Sequence, residues 1–172
     1  MSVALRLARP DDAPALSALA TEAFVAAFGH LYQRSDLDAF LAEHRTVEVY
    51  REDIADPNTR IALAETDGAL AGYALIQWPS DFADESDALH PLALHQLYCA
   101  PRMTGHSVGA ALMDWALAEA RALGCDAVQL SVFSENFGAQ RFYARYGFGK
   151  IADIEFWVGN HCDHEYLFER RL

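Results

Sequence analysis

Apolar positions along the chain alternate between two periods, and the changes of period mark the elements. Residues 3–8 alternate Val, Leu and Leu with Ala and Arg, the pattern of a half-buried strand. Pro10-Asp11-Asp12 then opens a helix, with Pro near the start and acids in the first turn. Leu16, Leu19, Ala20, Ala23, Phe24, Ala27 and Phe28 recur at helical spacing behind it. Ser35-Asp36-Leu37-Asp38 predicts a second helix capped by Ser35, and residues 46–54 a third. Residues 59–65 and 69–78 are β-rich runs joined by Thr66-Asp67-Gly68, and Asp-Gly between such runs predicts a hairpin. Residues 92–99 form another strand. Residues 108–123 form a helix with Leu112, Ala116, Ala120 and Leu123 on one face. The apolar-rich run 127–133 reads as a buried strand, 138–146 as a helix, and 149–158 with 165–170 as a closing hairpin around Gly159-Asn160-His161. The acidic stretch 79–87 reads as a surface loop.

This order predicts a mixed α/β (α+β) layered domain on one sheet, with a right-handed crossover between parallel strands over residues 92–133. At 172 residues, with no repeat or linker in the sequence, one domain spanning 1–172 is expected. Half the residues are apolar (52%) and the mean hydropathy is −0.01, a globular composition. The net charge of −12 disfavours nucleic acid and anionic membranes as partners. Three cysteines at long spacings, Cys99, Cys125 and Cys162, argue against structural zinc and a disulfide framework. The N-terminus lacks a signal-peptide h-region and no long uncharged apolar stretch occurs, so a cytoplasmic location with no membrane span is expected.

The charge is unevenly distributed. Residues 1–100 carry six Arg against sixteen acids, a net −10, whereas residues 101–172 carry a net −2. The second part suits a region that holds an anion, and the first could attract a cationic partner.

The chemistry concentrates in two segments. In Leu97-Tyr98-Cys99-Ala100-Pro101-Arg102-Met103-Thr104-Gly105-His106-Ser107-Val108-Gly109-Ala110 a strand ends, a loop follows and a helix begins. Amide groups of such a loop and first helical turn converge, and with the helix dipole they make an anion site without a lysine. Gly105, Ser107, Gly109 and Ala110 are small enough to let a phosphate near the backbone. A Walker loop is excluded because no Gly-Lys-Ser/Thr follows. In the second segment, Asn136 opens a helix that Gly147 stops, and Tyr143 lies two turns from Asn136 on the same face.

The segment 97–112 resembles the pyrophosphate loop of the GNAT N-acetyltransferase superfamily. Asn136…Ala139…Phe142-Tyr143…Gly147-Phe148 resembles that family's second signature. Glu22-Ala23-Phe24…Phe28-Gly29 and the ending from Phe156 to Glu169 are similar to the PaiA-type polyamine acetyltransferase branch. The resemblance implies a mostly antiparallel twisted sheet with helices on both faces and a central β-α-β core that binds acetyl-CoA. It implies that amides from Thr104, Gly105, His106, Ser107, Val108, Gly109 and Ala110 hold the pyrophosphate. Leu97, Tyr98 and Cys99 line the pantetheine arm, Asn136 hydrogen-bonds the cofactor, and Tyr143 protonates the departing thiolate. One departure stands out: Thr104 and Ser107 replace the long polar residue and a glycine usual in the loop.

An amine acceptor needs a base, since an aliphatic amine is mostly protonated at neutral pH. His95 is the candidate: two residues before Leu97, it is expected to share a strand face with Leu97 and Cys99, and an unperturbed imidazole suits a base near pH 7. Phe24, Phe28 and Trp78, with Tyr32 and Trp157, are candidates for the acceptor wall. His161-Cys162-Asp163-His164 mixes metal ligands, but no distant ligand set supports them and no metal is expected. The expected activity is acetyl transfer to a primary amine of a small molecule, a polyamine by preference. A peptide or protein amine is the alternative, and so is a non-catalytic acyl-CoA sensor. Self-association as a homodimer is left open.

Overall fold

The computed structural model describes residues 2–103 and 107–172. Seven strands form one sheet in the order β1-β2-β3-β4-β5-β7-β6. They are β1 (Ala4–Leu7), β2 (Thr59–Thr66), β3 (Ala69–Gln77), β4 (Pro91–Cys99), β5 (Ala127–Phe133), β6 (Gly149–Val158) and β7 (His161–Arg171). Every neighbouring pair is antiparallel except β4 and β5. The helices are α1 (Ala13–Phe28), α2 (Arg34–His44), α3 (Val47–Ala55), α4 (Val108–Ala122) and α5 (Phe137–Arg145).

The strand period explains the layers. On β2 and β3, Ile61, Leu63, Tyr73 and Leu75 pack under α1 and α3 with Leu16, Ala20 and Tyr50. Their alternates Ala62, Ala64, Ala74 and Ile76 pack on the other face with Leu112, Met113 and Ala116 of α4. Helices therefore cover both faces, as expected for the family. A third cluster, Phe24, Leu37, Phe40 and Val158, joins α1 and α2 to β6. By length and composition the stretch Pro10–Leu31 could cross a membrane. In the fold, its Leu16, Leu19, Ala20, Ala23 and Phe24 are buried in core.

Local signals act where the physics is local. Asp67 and Gly68 both have positive φ, 51° and 77°, the turn that suits a two-residue hairpin. Thr46 caps α3 by accepting the Val49 amide at 3.2 Å. The expected Ser35 cap is displaced: α2 begins at Arg34, with Gln33 at the cap position. The closing turn is also tighter than its sequence suggests. Val158 already pairs with His161, so β7 begins four residues before the expected Glu165.

Two irregularities shape the site. The parallel β4–β5 ladder lasts only from Pro91–Ala127 to Ala93–Gln129, after which the strands part. A register shift pairs Ile76 with Leu94 and Leu75 with Gln96, leaving His95 as the bulged residue of β4.

Candidate active site

Beyond Ala93, β4 stays with β3 and beyond Gln129, β5 stays with β7. The sheet opens into a cleft of about 810 Å³. Leu94, His95, Leu97, Tyr98 and Cys99 form one side of it, and Ser131, Val132 and Phe133 the other. The inner edges of β4 and β5 lack sheet partners there, so their backbone groups are available to a ligand.

The start of α4 closes one end. Ser107 takes a left-handed conformation (φ 64°) just before the helix. The first α-helical bond runs from the Ala111 amide to the Ser107 carbonyl at 3.1 Å, so the amides before Ala111 lie in the unsatisfied first turn. α4 reaches this position because β3 has Gly72 there. A Cβ on Gly72 would lie 2.8 Å from both the Tyr98 carbonyl and Val108 Cγ1. Gly109 lines the cleft, and its amide hydrogen-bonds the Cys99 sulfur. Burial nonetheless raises the Cys99 thiol above its ordinary value, so it is no activated nucleophile. Thr104, Gly105 and His106 lie outside the described residues. Val108 is core, and Ala110 accepts a hydrogen bond from the Tyr146 hydroxyl at 3.4 Å.

Asn136 and Tyr143 both reach the cleft from α5. Asn136 Oδ1 caps the helix by accepting the Ala139 amide at 3.2 Å, which orients its amide nitrogen as a donor for a ligand. Tyr143 sits among Phe142, Phe148 and Phe168, and burial pushes its phenol above the usual value. It therefore holds its proton until a stronger base forms beside it.

His95 lines the cleft, but not by simple alternation. The bulge changes the parity of β4, so Leu92 and Leu94 share the α4-side core with Leu97 and Cys99, and His95 stands between the two registers. Its Nε2 lies 3.1 Å from Asp81 Oδ1, and this bond lowers the Asp81 carboxyl. The supposed surface loop thus contributes to the site.

The opposite wall holds residues that sequence reasoning passed over. β7 directs Asp163 and Glu165 inward, 6% and 8% exposed, on the same strand face as Leu167. Ser131 Oγ donates to Glu165 Oε1 at 3.2 Å. Burial, with Asp163 nearby, pushes the Glu165 carboxyl up to about 7. The Tyr32 hydroxyl donates to Asp163 Oδ2, and His161 Nε2 lies 3.0 Å from Oδ1. Of the four neighbours His161, Cys162, Asp163 and His164, strand alternation puts His161 and Asp163 on one face of β7 and Cys162 and His164 on the other. Phe24, Phe28 and Tyr32 line the cleft, whereas Trp157 is 56% exposed and does not. Trp78 does not line the cleft: it packs toward the α4-side core with the Arg60 guanidinium 5.2 Å from its ring. Arg45, from the α2–α3 junction, joins the wall instead.

The charge argument also changes. Glu22 does not line the cleft, and Asp87 pairs with Arg171. The buried acids of the acceptor wall come from the nearly neutral second part of the chain, not from the acidic first hundred residues.

The profile of the Acetyltransferase (GNAT) family matches residues 17–148. An uncharacterised N-acetyltransferase of Mycobacterium tuberculosis is 31% identical over 161 residues, covering 94% of this chain and 98% of the relative. An aminoalkylphosphonate N-acetyltransferase of Salmonella typhimurium is 30% identical over 103 residues, 58% of this chain and 62% of the relative. In fold, the chain is similar to a PaiA N-acetyltransferase from Thermoplasma acidophilum in complex with coenzyme A, with a TM-score of 0.82, 19% identity and full coverage of both chains. A split sheet with an open helix N-terminus at one end of the cleft agrees with these matches, and the chain belongs to the GNAT acetyltransferase family.

Proposed function

We propose that this protein moves the acetyl group of acetyl-CoA to a primary amine of a small molecule, with Glu165 as base and Tyr143 as acid. Family membership makes it an acyltransferase with acetyl-CoA as its co-substrate. The observation that carries the finer reading is that Glu165, from β7, and Tyr143, from α5, line one cleft, close enough for the charge of Glu165 to act on the phenol.

The residues fit the co-substrate. Amides at the α4 start offer donors to a pyrophosphate, and the unpaired β4 edge at Leu97–Cys99 offers backbone groups to an amide-bearing arm. Acetyl-CoA supplies the thioester, and the side chains manage protons. Glu165, poised near neutrality, takes a proton from the acceptor ammonium so that its nitrogen can attack. Tyr143 gives its proton to the leaving sulfur, since a thiolate formed in a buried site is a strong base. His95 is the second candidate for the base, tied to Asp81 at the more exposed edge. The cleft volume falls within the range of small-molecule sites, which favours a small acceptor over a folded protein. The polyamine expectation rested on the PaiA-type resemblance, which at 19% identity to the solved PaiA structure bears on the fold alone, and more weakly on the acidic first part of the chain, whose acids the cleft uses only at Asp81. It is therefore not retained as the preferred acceptor class. Three free cysteines suit a reducing, cytoplasmic setting.

The test incubates the protein with acetyl-CoA and an amine panel and measures free thiol. Amine-dependent thiol release is expected. Cofactor binding with no release for any amine would replace the enzyme reading with that of an acyl-CoA sensor.

A further inference from the structure

Arg45 is 7% exposed, yet among the described residues it makes no ion pair with a carboxylate. Its Nη1 donates to the His44 carbonyl at 3.1 Å, and its Nε is buried without a partner. Phe24 and Phe40 hold the guanidinium between them, with its carbon 5.5 and 5.0 Å from the ring centroids. Tyr50, Tyr73 and Tyr98 are the polar groups that face it, with Tyr98 in hydrogen-bonding range. Arg45 is the weakest of the influences given for Asp53 on α3.

A buried guanidinium without a counter-charge is costly, because its five donors and full charge have left water. Arg45 also lines the acceptor side of the cleft, where it is the sole Lys or Arg among the described lining residues. Elsewhere on the same lining, the carboxylates Asp163 and Glu165 suit an ammonium. The two signs together fit a zwitterion. A polyamine that placed its second ammonium at Arg45 would be repelled there.

We propose that the amine acceptor carries an oxyanion, a carboxylate or a phosphonate, that docks on the Arg45 guanidinium. The planar fork accepts either group in two parallel hydrogen bonds. The proposal rests on the acetyltransferase reading above and narrows its acceptor to an amine bearing an acid group.

The experiment compares chain-matched acceptors in the thiol-release assay: a monoamine, a diamine, an ω-amino carboxylate and an aminoalkylphosphonate. The acid-bearing pair should exceed the diamine in kcat/KM by roughly tenfold or more, the scale of a charge-assisted pair. The better of the two identifies the oxyanion. Arg45→Gln should remove that advantage through KM, by roughly 10- to 100-fold, while the monoamine and the acetyl-CoA KM change little. Arg45→Lys should recover part of it. A diamine that equals or outperforms the acid-bearing amines overturns the proposal, and so does an Arg45→Gln enzyme that loses all acceptors alike. Should Arg45→Gln fail to fold, n-propylphosphonate with the wild-type protein decides. A rise in Tm that an acceptor competes for upholds the site, and no rise removes it. If no amine releases thiol, the acetyl-transfer reading fails, and Arg45 is still tested by the n-propylphosphonate melt run with coenzyme A saturating the α4 end: a rise in Tm that weakens in Arg45→Lys upholds the site, and no rise removes it.

Discussion

The two sides of the cleft were built by different rules. The side proposed to hold the co-substrate is contiguous in sequence: β4, the start of α4, and α5 with its cap bring Leu97, Cys99, Gly109, Asn136 and Tyr143 in two short runs. The acceptor side is assembled from four separate places: α1, the α2–α3 junction, β6 and β7. A backbone-amide site must be contiguous, because successive N–H groups of one turn do the binding. A side-chain wall has no such constraint, since any element that reaches the cleft can contribute one residue. Hence the first side constrains a sequence motif and the second is free to change with the acceptor.

The strongest challenge to this division is Tyr143→Phe. Losing the acid on the contiguous side should lower kcat by roughly 10²- to 10⁴-fold with little change in the acetyl-CoA KM. Unchanged turnover would take Tyr143 out of the chemistry. Glu165→Gln tests the scattered side. We expect kcat/KM to fall about 10²-fold, and the wild-type decline below about pH 7 to vanish from the residual activity. The groups that bear on this limb are Asp163, Ser131, Tyr32, Tyr98 and Tyr143 around Glu165. A limb that persists in Glu165→Gln and disappears in His95→Gln would move the base to β4.

Stability gives a smaller and opposite effect. The Glu165 carboxyl is raised on folding, from 4.5 to about 7. Its contribution to stability is complete below about pH 4.5 and is lost as pH rises through 7. Glu165→Gln should therefore stabilise the fold at pH 8 by on the order of 1–3 kcal/mol, and by much less at pH 4. Chemical denaturation at the two pH values checks the sign. Smallest of all, Trp78→Phe should cost about 1 kcal/mol of stability and leave the acceptor KM within about twofold. A large KM change would return Trp78 to the wall.

The sequence revealed elements whose signals are local. The Asp67-Gly68 hairpin, the Thr46 cap and the apolar run of β5 all depend on neighbours a few residues away. Asn136 and Tyr143 were legible for the same reason, being seven residues apart on one helix. The bulge at His95 was not legible, because it arises from pairing with β3, some twenty residues distant in sequence. Asp163 and Glu165 carried a signal that was misread. Their two-residue spacing with Leu167 marks an inward face, but a connection drawn four residues too long kept Asp163 off the strand. Arg45 had no signal at all: an arginine after a helix is ordinary until Phe24 and Phe40 close over it.

The three-pair ladder between β4 and β5 has a consequence for the empty protein. A sheet normally hides its adhesive edges at the margins or covers them, whereas this one keeps two such edges in its centre. Any extended backbone that enters the gap can pair with them, including a segment of another chain. An amide-bearing ligand in the gap acts as a missing half-strand. Each tenfold excess of ligand over its Kd should add about 1.4 kcal/mol to stability, and occupancy should also suppress strand-mediated clumping. Supply of the co-substrate would then set the working lifetime of the protein as well as its turnover.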